Sequence, residues 1–254
     1  MLMNDRRDAI RDLIVSKGEA TVGELCELFP GLSSMTIRRD LAYLESTGSI
    51  IRTHGGARAS PLGYGIGEGR YIERENAHIA EKSEIARKAT SIAMEGQSIF
   101  LDSGTTAMAF ARSLPDKTYQ IITSAPNIAL EIIKRKPKTV VFLCGGELNP
   151  KTLSCSGYGS AAFVRDINVD IAFLVASGYS INCGFTVGNY QECEFKKAVI
   201  SKVPKTVIMV DSSKFSKDMP YTFAREKDIN YIATDGTLPD NIYENMKLND
   251  VIIL

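Results

Sequence analysis

Residues 33–57 read SSMTIRRDLAYLESTGSIIRTHGGA, and they decide how the amino-terminal part of the chain folds. Ser33 or Ser34 is placed to cap a helix whose buried edge is Ile37, Leu41 and Leu44, recurring at helical spacing. Thr36, Arg38, Arg39 and Tyr43 fall mostly outside that edge. Gly48 ends the helix, and SIIRTHGGA then predicts two short strands around a turn. Upstream, residues 5–17 put Ile10, Leu13 and Ile14 on one helical face, closed by Lys17-Gly18. TVGELCELF predicts a second helix, with Thr21 as N-cap, Glu24 completing a capping box, and Val22, Leu25, Leu28 and Phe29 as the apolar stripe. Pro30-Gly31 turns the chain into the third helix. Three short helices and a hairpin within residues 1–57 outline a winged helix-turn-helix.

The adjacent arginines gain meaning from the charge balance. The 254 residues include 30 basic and 30 acidic side chains, so a nucleic-acid partner has to be met by a local patch. Between 31 and 58 stand Arg38, Arg39, Arg52 and Arg58 against Asp40 and Glu45, a local excess of positive charge. Modules of this shape lay the third helix in the major groove with its early residues at base edges. Arginine suits that place, pairing bidentately with guanine or with a phosphate. The DNA-facing helix residues are then Ser33, Ser34, Met35, Thr36, Arg38 and Arg39, with Arg52 and His54 on the wing. Charge by itself would favour a solvated helix face; the spacing of helices, turn and wing outweighs it.

The bulk composition, 44% hydrophobic and 24% charged, is that of an ordinary globular chain. Its five cysteines are scattered without a CxxC pair, which predicts free thiols rather than a disulfide frame or a metal site. MLMNDRRDAIRDLIV, with acidic residues and a helical period, is unlike a signal peptide. No apolar run reaches the roughly 18 residues that a spanning helix needs. The expectation is a cytoplasmic protein without a membrane partner.

The glycine-rich stretch GGARASPLGYGIGEG (55–69) lacks periodicity and reads as a connection, dividing the chain into modules at 1–57 and 71–254 with a linker at 58–70. Beyond it, a polar helix over 71–96 leads into the apolar strand SIFLD (98–102). Further apolar runs at 120–123, 139–144, 171–175, 206–211, 231–234 and 251–254 alternate with helical stretches. Continuous apolar character says these strands are covered on both faces, as in a parallel α/β sheet.

Several loops after those strands have the chemistry of a ligand rim. IFLDSGTTAMAFARSL (99–114) delivers Asp102 to the turn Ser103, Gly104, Thr105, Thr106, where a helix starts. Free amides at a helix N-terminus, with hydroxyls beside them, suit a phosphate, although capped strand-to-helix turns of this kind are common. IITSAPN (121–127) adds Thr123 and Ser124, and FLCGGEL (142–148) adds Gly145 and Gly146. Open α/β sheets bind ligands at such strand ends. Lys214, just past the strand ending at Asp211, is a candidate cation there. Lys196 and Lys197 share a helix with Glu192 and Glu194; a solvated helix with local ion pairs is the weightier reading, with Lys196 kept as a possible ligand contact.

These segments carry a family resemblance. MTIRRDLAYLESTGSIIRTHGGA closely resembles the signature of the DeoR family of bacterial transcriptional regulators. The later markers, SGTT, GGEL, GFT (184–186), the E-x-E-x-K-K helix and DSSKF, resemble that family's carboxy-terminal sensor domain. The resemblance implies a small winged helix-turn-helix joined to a larger Rossmann-like α/β domain similar to ribose-5-phosphate isomerase. It further implies a repressor of a carbohydrate operon, with operator DNA as one partner and a phosphorylated sugar as effector. Residues 103–106 would hold that effector, with Thr123, Gly145, Gly146 and Lys214 nearby, and its binding would release the operator. No cofactor is implied. A small DNA-binding module binds weakly alone, so self-association into a dimer or tetramer is expected.

Two other functions compete. Aldose–ketose isomerisation needs a carboxylate base. The isomerases carry a D-G-A-D segment, whereas this chain has Ser177-Gly178-Tyr179-Ser180, and many DeoR members have aspartate where Ser177 stands. Asp102, Asp211, Glu192 and Glu194 remain as acids without an evident substrate partner. A sensor without catalytic residues is therefore preferred over an enzyme. A purely architectural DNA-binding protein would leave the larger module without a task.

Overall fold

The computed structural model describes residues 3–46, 50–59, 71–236 and 238–254. The end of the third helix at Gly48 and most of the expected linker, 60–70, lie outside the described residues. The chain divides into two compact units, Met1–Gly69 and Arg70–Leu254.

In the first unit, helices α1 (Met3–Lys17), α2 (Val22–Leu28) and α3 (Ser34–Ser46) enclose Ile10, Ile14, Leu25, Ile37, Leu41 and Leu44, each buried. Thr21 and Glu24 form the expected capping box: the Thr21 hydroxyl accepts from Glu24 N (3.2 Å), and Glu24 Oε2 accepts from Thr21 N (2.7 Å). The wing has one strand more than the sequence suggests. Strand β1 (Glu19–Thr21) pairs antiparallel with β3 (Gly56–Ala59), which also pairs with β2 (Ile50–Thr53), giving the order β1-β3-β2. A side chain at Gly56 would collide with the Ala20 carbonyl, so this approach of β1 requires glycine. Arg58 and Ala59 belong to β3, which runs two residues beyond the expected end of the first module at 57.

The second unit opens with helices α4 (Tyr71–Asn76) and α5 (Ile79–Thr90). Strand β4 (Ser98–Leu101), helix α6 (Thr105–Ser113), strand β5 (Gln120–Thr123), helix α7 (Pro126–Arg135) and strand β6 (Val140–Leu143) follow. A hairpin of β7 (Glu147–Asn149) and β8 (Ser154–Ser156) leads to α8 (Tyr158–Arg165) and β9 (Ile171–Val175). Then come β10 (Gly178–Ser180), β11 (Gly184–Val187), α9 (Tyr190–Ile200), β12 (Thr206–Met209), β13 (Tyr221–Ala224), β14 (Tyr231–Ala233), α10 (Asp240–Leu248) and β15 (Ile252–Ile253).

All seven expected strands join one parallel sheet in the order β15-β14-β12-β9-β4-β5-β6. Their apolar runs are continuous because both faces are covered. Residues of α5, α6 and α7 pack with Ile99, Leu101, Phe173 and Val207 on one face; those of α8, α9 and α10 pack with Phe100, Ala172, Leu174 and Ile208 on the other. Strand order reverses beside β4: β5 and β6 lie to one side, β9 and the later strands to the other. The carboxyl ends of strands flanking such a reversal form the crevice where doubly wound sheets bind ligands. A second, antiparallel sheet, β10-β11-β13, carries buried Tyr179, Phe185 and Phe223.

Candidate functional site

Ser33, not Ser34, caps the third helix: its hydroxyl accepts from Thr36 N at 3.1 Å and lies 3.0 Å from the Thr36 hydroxyl. Arg38 and Arg39 are exposed, as are Ser34 and Met35. The next residue explains how the helix is held. Asp40 is buried and binds Arg6 Nε (2.6 Å) and Arg7 Nε (2.9 Å) from α1, while the Arg7 guanidinium lies 3.8 Å over the Tyr43 ring. Burial pushes the Asp40 carboxyl up, but the two arginines more than reverse this and hold it below its ordinary value. Asp40 is therefore spent inside the unit and does not offset the charge of the exposed Arg38 and Arg39. Arg52 and His54 are exposed on the wing; Arg52 N donates to Glu45 Oε1 (3.2 Å), linking wing to helix. Arg38, Arg39 and Arg58 make no ion pair among the described residues.

In the larger unit, the expected loops follow the carboxyl ends of β4, β5, β6 and β12. The turn after β4 places Gly104 as N-cap of α6, with φ 103° and no side chain to cap the helix. The first amides of α6 therefore remain open, as an anion site requires. No side-chain hydrogen bond ties the hydroxyls of Ser103, Thr105 or Thr106 among the described residues. Thr123 is committed differently: its buried hydroxyl accepts from Ala125 N at 3.1 Å, shaping the turn into α7. Ser124 is buried beside it, and its carbonyl accepts from Cys155 N at 2.7 Å. Gly146, at φ 136°, leaves no room for a side chain against the Ser156 carbonyl and the Ser160 hydroxyl, and that hydroxyl donates to the Gly145 carbonyl. Gly146 thus lets α8 approach the loop.

Lys196 is not solvated, contrary to the weightier expectation for its helix. It is 2% exposed and directs its ammonium to Asp102 Oδ2 (2.8 Å), Glu192 Oε1 (2.9 Å) and the Val175 carbonyl (2.6 Å). Burial by itself would lower its pKa; the carboxylates of Asp102 and Glu192 raise it above the ordinary lysine value. Asp102 Oδ2 also accepts from Val175 N (2.9 Å), so the cluster ties the ends of β4 and β9 to α9. The solvated expectation holds for Lys197, which pairs with Glu194 at 2.9 Å on the surface. The remaining acid, Asp211, accepts from Ser213 N (3.1 Å) and caps the turn that carries Lys214. The four acids left open as possible bases are thus engaged in ion pairs or a cap.

Lys214 is half-buried and makes no side-chain hydrogen bond or ion pair among the described residues. The sequence reading missed its companion, Lys82 on α5. Lys82 is buried and donates to the carbonyls of Arg74 and Ala77 (2.5 Å to the latter). Burial pushes its pKa down to about 8; Asp211 opposes the shift, and Lys214 adds to it. Lys82, Asp211 and Lys214 therefore lie within electrostatic reach of one another. The only signal in the sequence was a lysine on the buried side of a polar helix.

Comparison with known proteins agrees with this division. Residues 6–60 match the DeoR-like helix-turn-helix domain and residues 77–236 the DeoR C terminal sensor domain. The HTH-type transcriptional regulator GlpR of Haloferax volcanii is 32% identical over 255 residues, covering 100% of this chain and 98% of that protein. The lactose phosphotransferase system repressor of Streptococcus mutans is 29% identical, covering 99% and 100%. Among solved structures, ribose 5-phosphate isomerase A of Methanocaldococcus jannaschii aligns with a TM-score of 0.39 and 21% identity over 54% of each chain. No helix among the described residues is long and apolar enough to cross a membrane.

Proposed function

The chain belongs to the DeoR family of DNA-binding transcriptional regulators, and on that premise we propose that it represses a carbohydrate operon until a phosphorylated sugar occupies the rim of its sensor unit. The observation that carries the effector class is the uncapped N-terminus of α6 at the strand-order reversal, with the hydroxyls of Ser103, Thr105 and Thr106 beside it. A phosphate there would take helix amides and hydroxyls, with Lys214 and Lys82 as the cations of the rim. Asp102 and Lys196 then serve by fixing the loop rather than by touching the sugar. Relatives named for lactose phosphotransferase system repression support the carbohydrate assignment. On the DNA side, Arg38 and Arg39 anchor α3, and Ser34, Met35, Thr36, Arg52 and His54 complete the face. Two modules act together, in the cytoplasm, through at least a dimer.

Regulation requires that the effector bind one arrangement of the assembly better than another, since equal affinity would shift nothing. The test is fluorescence anisotropy on labelled DNA from upstream of the protein's own gene, titrated with pentose and hexose phosphates and their free sugars. One phosphosugar is expected to weaken DNA binding while its free sugar does not. The Arg38→Ala, Arg39→Ala double variant is expected to lose at least tenfold in affinity, about 1.4 kcal/mol. Full affinity in that variant would refute the assignment of α3, and a response to free sugars alone would refute the phosphate site.

A further inference from the structure

The parallel sheet ends on one side in β6, which among the described residues pairs only with β5. Its register continues the rows of the core. Phe142 stands beside Ile122, which stands beside Phe100, which stands beside Ala172. Exposure along that row runs from 45% at Phe142 to 5% at Ile122 and 0% at Phe100 and Ala172. On the opposite face, Leu143 continues the row of Thr123, Leu101 and Phe173, and it is 46% exposed where those three are 0%. Val140 is 56% exposed, and on the adjacent α7 both Leu130 and Ile133 are 57% exposed. The core pattern thus runs out to the edge, where α7 covers the last strand only in part and leaves Val140, Phe142 and Leu143 exposed.

An unpaired strand edge flanked by apolar side chains invites pairing, and natural edges are usually blunted by proline, charge or a bulge. Val140–Leu143 carries none of these. The opposite edge, β15, is only two residues long. We propose that β6 and the adjoining face of α7 receive a second copy of this chain, the two β6 strands meeting antiparallel about a two-fold axis. A two-fold contact must match itself, residue i meeting j and j meeting i, and identical antiparallel strands do so by construction. The charges agree: exposed Lys138 precedes the strand and exposed Glu147 follows it, so the two-fold sets the basic end of one copy against the acidic end of the other. The inference rests on the reading that two DNA-binding modules act together, and it names the surface that joins them.

The test is sedimentation of the full chain over a concentration series, with and without DNA, for the unsubstituted protein and for Val140→Glu and Phe142→Glu. The unsubstituted protein is expected to be at least dimeric, and each glutamate is expected to raise the dissociation midpoint at least thirtyfold, the scale of a central interface side chain. Because a glutamate variant can fail for reasons of folding, Phe142→Cys provides an independent readout. Under mild oxidation it is expected to give a reducible covalent dimer that Leu248→Cys, at an exposed position of α10, does not give. An oligomer indifferent to both glutamates, with no Phe142→Cys cross-link, would overturn the surface while leaving the paired-module reading intact. A monomer throughout, even on DNA, would overturn both.

Discussion

Lys82 and Lys196 are two buried lysines in one unit whose surroundings drive them in opposite directions. Two carboxylates keep Lys196 charged, whereas Lys82 has carbonyl partners and a neighbouring cation, and its pKa falls to about 8. If the rim takes a phosphate, the bound anion favours protonated Lys82, so affinity is present below pH 8 and is lost as the pH rises through that value. A phosphate monoester becomes a dianion above about pH 6. Effector affinity should therefore peak between about pH 6 and 8 and fall up to tenfold by pH 9, as measured by titration calorimetry with the responding phosphosugar. Lys82→Met should weaken binding at pH 7 and flatten the alkaline fall; an unchanged profile would remove Lys82 from the rim. Neither environment was legible in the sequence. Composition around 82 and 196 shows charged helices, and what decides their state, the burial of Lys82 and the carboxylate of Asp102 beside Lys196, depends on packing between segments distant in the chain. Lys214 was legible because a strand and its carboxyl-terminal turn are adjacent in sequence.

Among the elements, α3 was the most readable, since periodicity separates Ile37, Leu41 and Leu44 from the outward arginines. What periodicity hides is how the helix is fixed in rotation. Asp40 falls between the two classes, and only the packing of α1 against α3 reveals it as the buried acceptor for Arg6 and Arg7. Removing one partner of a buried ion pair costs about 3–5 kcal/mol. Here both arginines are 17% exposed and can reach water, so Asp40→Ala should destabilise the DNA-binding unit by about 1–3 kcal/mol in urea unfolding. Operator affinity should fall as well, although Arg38 and Arg39 remain. Because the carboxyl is held below its ordinary value, its stabilising contribution is complete above about pH 4 and disappears only as the pH falls through the lowered value. The parallel strands were legible for their apolar runs, not for their length. β1, β10, β11 and β13 were not, because glycine, threonine, serine or glutamate interrupts them and their pairing is decided by distant partners.

At the scale of the molecule, two compact units with separate cores predict two unfolding transitions rather than one. An effector at one hundred times its dissociation constant adds about 2.7 kcal/mol to the unit that binds it. That should raise the melting of the sensor unit by about 5–10 °C in scanning calorimetry and leave the DNA-binding unit unmoved. Operator DNA should do the reverse, and a single transition shifted by both ligands would contradict the division. The change in texture beyond residue 70 falls where the two units divide, whereas glycine at 55 and 56 serves a hairpin as well as it serves a linker, so the sequence alone does not show that β3 runs on to Ala59. That hairpin has a mechanical consequence. The chain leaves the DNA-binding unit through β3, the middle strand of β1-β3-β2, which is bonded on both sides. Tension arriving from beyond Ala59 therefore loads two hydrogen-bond ladders in shear at once instead of unzipping an edge strand, so a pull would move the wing as a rigid lever before tearing it.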